Sequence, residues 1–233
     1  MVKDKLQVPV FVTGIERSGS SIIARILSLC EGFTGDVNNM YRNIKISELI
    51  NGYYISFGIN PNGQFPLPDT EMILIPSDWR KRVENILFEQ KYDGSKIWIY
   101  KDSRLCQIWP IWNYAFPNAR WIIVRRRTGD IIDSCQQTDY MNAYKNERIQ
   151  KSIGVDNIRD GWLWWVHRHE KLFVEMIENG LNCKIVWPER MVYGDYHQIY
   201  EVLDWIGLSW NKDLINIIDP LLWNSRQKME RNK

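Results

Sequence analysis

Apolar runs of strand length alternate along the chain with stretches whose apolar residues recur at three- and four-residue spacing. The first run, Val8 to Thr13, ends at Gly14 and leads into Ile22, Ile23, Ile26, Leu27 and Leu29 at helical spacing, which predicts strand, glycine loop, helix. Further strands are predicted at 96–101 (KIWIYK), 120–125 (RWIIVR) and 183–187 (CKIVW). Between and after them the pattern predicts helices from Ser77 or Asp78 to Lys91, with Val83, Ile86, Leu87 and Gln90 inward, and over 105–116, 130–138, 156–179, 196–206 and 214–218. Alternating strands and helices predict an α/β fold of three layers, a mostly parallel central sheet flanked by helices. From Gly32 to Pro76 the chain is richer in Gly, Asn and Pro, and only 44–53 reads as helix, so this part is an irregular excursion of the kind that carries specificity.

Length and charge narrow the class. At 233 residues a single domain over the whole chain is expected, and 30 Lys+Arg against 28 Asp+Glu leave a net charge of +2, against a nucleic-acid partner. The four cysteines are widely spaced, with no zinc or disulfide pattern, and no apolar run approaches the length of a membrane span. The polar stretch Met1 to Gln7 does not read as a secretory signal, so a cytoplasmic protein without a membrane partner is expected. Twelve Trp and 11 Tyr indicate either an aromatic core or an aromatic acceptor cleft.

The chemistry concentrates in two segments. Gly14-Ile-Glu-Arg-Ser-Gly-Ser-Ser21 has the glycine pair of a phosphate-binding loop, with Ser20 where a nucleotide triphosphatase needs lysine. Backbone N–H groups, the following helix N-terminus and the hydroxyls of Ser20 and Ser21 still suit an anion. Arg17 supplies a cation inside the loop, whereas the carboxylate of Glu16 is expected to point away from a bound anion. The second segment, Trp121 to Ser134, runs from a strand through Arg125, Arg126 and Arg127 into a helix, at the sheet edge where open α/β folds bind ligands. There Arg126 and Ser134 suit a phosphate; the competing reading pairs the arginines with Asp130 or Asp133.

Together these segments resemble the sulfotransferase family, whose donor is 3′-phosphoadenosine 5′-phosphosulfate (PAPS) and whose product is adenosine 3′,5′-bisphosphate (PAP). The resemblance implies that Gly14, Glu16, Arg17, Ser18, Gly19, Ser20 and Ser21 cradle the 5′-phosphosulfate and that Arg126 and Ser134, eight positions apart, hold the 3′-phosphate. Lys101-Asp-Ser-Arg-Leu105 is similar to the Lys-Asp-Pro-Arg-Leu stretch of bacterial and phage members, with Ser103 replacing proline. Arg190 to Asp195 and Trp205 to Leu208 are similar to later family segments. The resemblance implies a metal-independent transfer to a hydroxyl or amine of a small-molecule, glycan or peptide acceptor. Arg17 and Lys101 are the expected electrostatic catalysts. No histidine stands two residues after Lys101, so the base falls to a carboxylate, Asp102 first and then Glu48 and Asp36. Asp102 has a second reading, orienting Lys101 or Arg104. His167, His169 and His197 are read as structural or solvated, and at least one indole of Trp162, Trp164 and Trp165 is expected to meet a second surface or the acceptor cleft. Arg226, in the basic tail, is a further candidate for the 3′-phosphate. The alternatives are a P-loop kinase or other nucleotide-binding enzyme, and a non-catalytic phosphonucleotide-binding module.

Overall fold

A computed structural model describes residues 7–65 and 67–218. Its four strands are β1 (Val10–Gly14), β2 (Ile99–Lys101), β3 (Arg120–Val124) and β4 (Asn182–Val186), paired in the order β2-β1-β3-β4 with every pairing parallel. The helices are α1 (Ser20–Leu29), α2 (Ile44–Ser56), α3 (Trp79–Glu89), α4 (Trp109–Ala115), α5 (Thr128–Gln136), α6 (Glu147–Ser152), α7 (Ile158–Glu178), α8 (Pro188–Val192) and α9 (His197–Ile206). Side chains alternate across the sheet, so each face builds its own core. Val10, Val12, Ile122 and Val124 pack with Ile23, Ile26 and Leu27 of α1 and with Ile199, Val202 and Leu203 of α9. On the other face Phe11, Tyr100, Trp121 and Ile123 pack with α3, α4, α5 and α7. The expected three layers, helix over parallel sheet over helix, are present.

Most of the tryptophan serves this second core. Phe11 meets Trp98, Trp112, Phe116 and Trp121 edge-on at centroid separations of 5.5, 5.1, 5.8 and 4.9 Å, a geometry that favours aromatic pairs. Trp162 and Trp165 are buried on α7, and Trp164 lies under Arg168, 5.9 Å from its ring centroid. His169 is sealed between Gln107 and the Trp165 carbonyl; burial pulls its pKa down to about 4, so it stays neutral as a core histidine.

Several boundaries differ from the pattern. The segment expected to be one helix over 105–116 starts as 3-10 turns over Ser103–Ile108 and becomes α-helical only at Trp109, with Pro110 in the first turn, where its missing N–H costs nothing. Asp78 does not cap α3 with its side chain and instead accepts from Arg82 Nε at 2.8 Å. Residues 212–217 are 3-10. Helices α6 and α8 were not expected; both are about as short as helices come and carry no long apolar period. The basic tail with Arg226 lies outside the described residues.

The excursion after Gly32 is tied down at three points. Phe33 pairs with the edge beside β2: its N–H donates to the Ile97 carbonyl and its carbonyl accepts from Ile99 N–H, both at 2.8 Å. Asn43, at the N-terminus of α2, accepts from Ile46 N–H and donates to Gln90 at 2.6 Å. The strongest tie is Arg104, 2% exposed, whose guanidinium binds both oxygens of Asp102 at 3.0 and 2.6 Å and reaches out to Asn51, the Pro61 carbonyl at 2.7 Å and Ser47 at 2.8 Å. Removing one partner of a buried, hydrogen-bonded ion pair leaves the other charge uncompensated. Arg104→Met is therefore expected to lower the urea-unfolding free energy by about 3–5 kcal/mol and to expose 44–65 to protease. A cost below about 1 kcal/mol would contradict this anchoring role.

Candidate active site

The carboxyl ends of β1, β2 and β3 lie side by side, with Gly14 opposite Val124 and Val12 opposite both Lys101 and Ile122. Glycine is required at 14, because a Cβ there would stand 2.5 Å from the Val124 carbonyl oxygen and 2.7 Å from Ser18 Oγ. Beyond it the loop turns through left-handed backbone at Arg17 (φ 72°) and Gly19 (φ 93°) before α1 starts at Ser20. Such alternation turns successive N–H groups inward, and the first turn of α1 adds donors with no acceptor inside the helix. A non-glycine residue at positive φ is costly, and such strain collects at functional sites.

A cleft of about 320 Å³ opens over this loop. Glu16, Arg17, Gly19, Ser20 and Ser21 line it from the loop, Lys101 and Ser103 from the end of β2, Arg126 from beyond β3, and Met40 and Tyr41 from the excursion. Neither Gly14 nor Ser18 lines the cleft: both are buried, with the Ser18 hydroxyl turned in against Gly14, so the Ser18 hydroxyl does not face the cleft. Neither Asp36 nor Glu48 lines the cleft; both are exposed on the excursion. No tryptophan lines it either, and among its walls the aromatic groups are Tyr41 and Tyr140.

The two predicted anion segments meet. Arg17 Nε donates to Ser134 Oγ at 2.9 Å, and Arg126 Nη1 donates to the Arg17 carbonyl at 3.1 Å. The three consecutive arginines diverge: Arg125 pairs with Glu170 and stacks over Trp187, Arg127 is exposed 3.6 Å from Glu189, and Arg126 alone is buried against the loop. Burial lowers the pKa of Arg126.

Lys101 does not pair with Asp102. It is 4% exposed, and its Nζ donates to Ser21 Oγ at 3.1 Å and the Met40 carbonyl at 3.3 Å, both neutral acceptors. Burial, reinforced by the nearby Arg42 guanidinium, pulls its pKa down to about 8. Asp102 is wholly buried. Burial alone would raise its pKa, but Arg104 and Arg42 outweigh it and hold the carboxyl well below the usual range. A carboxylate with both oxygens on one guanidinium and no access to the cleft is an anchor rather than a proton acceptor.

Glu16 also departs from expectation. The residue lines the cleft, and its nearly buried side chain is held by Arg42 Nη2 at 2.8 Å, with the Tyr140 hydroxyl at 3.5 Å. Arg42 also donates to Ser103 Oγ at 2.9 Å and lies 3.8 Å from Asp102. Burial works against its charge, yet the Asp102 and Glu16 carboxylates raise its pKa. The sequence reading missed Arg42, which sits in the excursion with no motif around it.

The comparison with solved structures places the fold. The chain has the sulfotransferase fold, and solved structures similar to it carry that description. Sulfotransferase STF9 from Mycobacterium avium superposes with a TM-score of 0.59 at 11% identity, over 93% of this chain and 68% of its own. The sulfotransferase domain of the Synechococcus PCC 7002 olefin synthase gives 0.58 at 14% identity, over 97% and 90%. The sulfotransferase domain of the curacin biosynthetic pathway gives 0.58 at 12%, over 91% and 77%. No protein-family model matches the sequence, and no curated protein matches it. Among the described residues no helix is long and apolar enough to cross a membrane.

An anion entering the cleft would supply Lys101 with the counter-charge it lacks and raise its pKa from about 8 towards the ordinary lysine value. Binding of pyrophosphate is therefore expected to take up a proton at pH 8–9 and to weaken as pH rises through that window. Calorimetry in buffers of different ionisation enthalpy reads this directly. Uptake should vanish in Lys101→Met; a wild-type enthalpy independent of buffer would contradict the assignment.

Proposed function

We propose that this protein is a sulfotransferase that moves a sulfuryl group from PAPS to a hydroxyl or amine of an acceptor. The observation that carries the reading is that Arg17 and Lys101, two cations on the cleft, are held by neutral groups, Ser134 on one side and Ser21 and the Met40 carbonyl on the other. Positive charge lining a cleft on neutral partners, buried at Lys101 and exposed at Arg17, suits a polyanionic ligand. The sulfotransferase fold of the structural neighbours supports the same class.

In this reading the loop N–H groups from Glu16 to Ser21 bind the 5′-phosphosulfate, and Arg126 with Ser134 binds the 3′-phosphate. PAPS supplies an activated sulfuryl group; the chain supplies position and charge. Arg17 and Lys101 face the group in transfer and stabilise negative charge as it moves to the departing phosphate, the type of fixed electrostatic support that serves related group transfers. Asp102 acts through Arg104 by holding the excursion over the cleft. The kinase reading is weaker, because Ser20 leaves the loop without its lysine and Arg104 already occupies the carboxylate at the end of β2.

Calorimetric titration with adenosine 3′,5′-bisphosphate against ATP plus magnesium tests the proposal without knowledge of the acceptor. Micromolar binding of the bisphosphate and none of ATP is expected; preference for ATP would overturn the reading in favour of a kinase. Arg126→Ala should weaken the bisphosphate by about 2–5 kcal/mol and leave adenosine 5′-phosphosulfate nearly unaffected. Equal losses for both ligands would remove the 3′-phosphate from Arg126.

A further inference from the structure

Sulfuryl transfer to a neutral hydroxyl needs a group to take the hydroxyl proton, and the carboxylates expected to do so are unsuited: Asp102 is locked by Arg104, and Asp36 and Glu48 lie away from the cleft. Among the residues lining the cleft, Glu16 is the one carboxylate. Its position is a product of the loop's backbone. Adjacent side chains in extended chain point to opposite sides, but the left-handed turn at Arg17 brings Glu16 and Arg17 to line the same space.

The surroundings of Glu16 fix it without using it up. Both of its described contacts, Arg42 Nη2 at 2.8 Å and Tyr140 Oη at 3.5 Å, are to Oε1, and no described group donates to Oε2. Arg42 is fixed in turn by Ser103 and by the Asp102 carboxylate, so an ionic chain runs from the Arg104 anchor through Asp102 and Arg42 to Glu16. The chain offsets the charge of Glu16, which otherwise would repel an anionic donor held by the same loop. It ends on Glu16, which lines the cleft together with Arg17 and Lys101.

We propose that Glu16 is the general base of the transfer, with Arg42 as its positioning residue; the inference rests on the sulfotransferase reading above. In the step, the acceptor oxygen forms a bond to sulfur while the bond from sulfur to the bridging phosphate oxygen breaks. The electron pair of that bond leaves with the bisphosphate, and the acceptor proton passes to Glu16 Oε2 and later to solvent. No co-reactant beyond donor and acceptor is required.

The test compares an acceptor that must lose a proton with one that has already lost it. Wild type and Glu16→Gln are incubated with PAPS, first with water as the acceptor, read as sulfate release, and then with p-nitrophenolate at a pH where it is ionised, read as p-nitrophenyl sulfate. Gln keeps an acceptor for Arg42, and an unchanged melting temperature confirms an intact fold. Glu16→Gln is expected to slow sulfate release about 100-fold or more and to slow transfer to p-nitrophenolate by at least about tenfold less than that. Arg42→Gln should lower sulfate release in the same selective way. Sulfate release at the wild-type rate in Glu16→Gln would overturn the proposal, as would equal losses with both acceptors. Wild type that binds the bisphosphate but transfers to neither acceptor would also count against Glu16 while leaving the donor site standing. Wild type that does not bind the bisphosphate would instead remove the sulfotransferase reading itself.

Discussion

The parallel register of three strands is the constraint on which the rest depends. Because Gly14 lies opposite Val124 and Val12 opposite Lys101, the residues that leave β1, β2 and β3 emerge at one edge within reach of each other. Arg17, Lys101 and Arg126 are far apart in sequence and have no other reason to meet. The two separate cores on either face hold the register: shifting β1 by a single residue would move Phe11 out of the aromatic core and Val10 and Val12 out of the aliphatic one. The sheet that looks like a scaffold is therefore what measures the distances in the cleft.

Charge around the cleft divides into two sets. Glu16, Arg42, Asp102 and Arg104 alternate in sign along a buried path and neutralise one another. Arg17 and Lys101 stand outside that path on neutral partners, and their charge remains for a ligand. A formal net charge of +2 thus conceals a locally positive cleft. The same path ties the excursion to the sheet, since Arg42 comes from it and Arg104 reaches back to Ser47 and Pro61. Stability of the excursion and geometry of the cleft rest on the same side chains.

The strands, the glycine loop after β1 and the long helix α7 were legible because each is, or adjoins, a regular apolar pattern bounded by glycine or a capping residue. Arg126 and Ser134 were singled out because a strand runs into them and because their separation resembles that of the sulfotransferase family, and both hydrogen-bond to Arg17 in the structure. Three features were not. The placement of Glu16 on the cleft depends on the φ of Arg17, a backbone choice that residue identity disfavours. The inward turn of Ser18 follows from the same loop. Arg42 lies in a segment with no period, and its partners Glu16, Ser103 and Asp102 are 26, 61 and 60 residues away in one direction or the other. Asp102 read as a reactive carboxylate because it follows Lys101 in sequence; its neighbour two positions on, Arg104, decides otherwise by folding back onto it.

The central claim is that the loop and the segment after β3 form one donor site joined at Arg17 and Ser134. A double-mutant cycle tests it most directly: affinity for adenosine 3′,5′-bisphosphate is measured for wild type, Arg17→Met, Ser134→Ala and the double variant. Residues that share one ligand and one hydrogen bond should couple by about 0.5–3 kcal/mol. Losses that simply add, to within about 0.3–0.5 kcal/mol, would mean two independent anion sites and contradict the account.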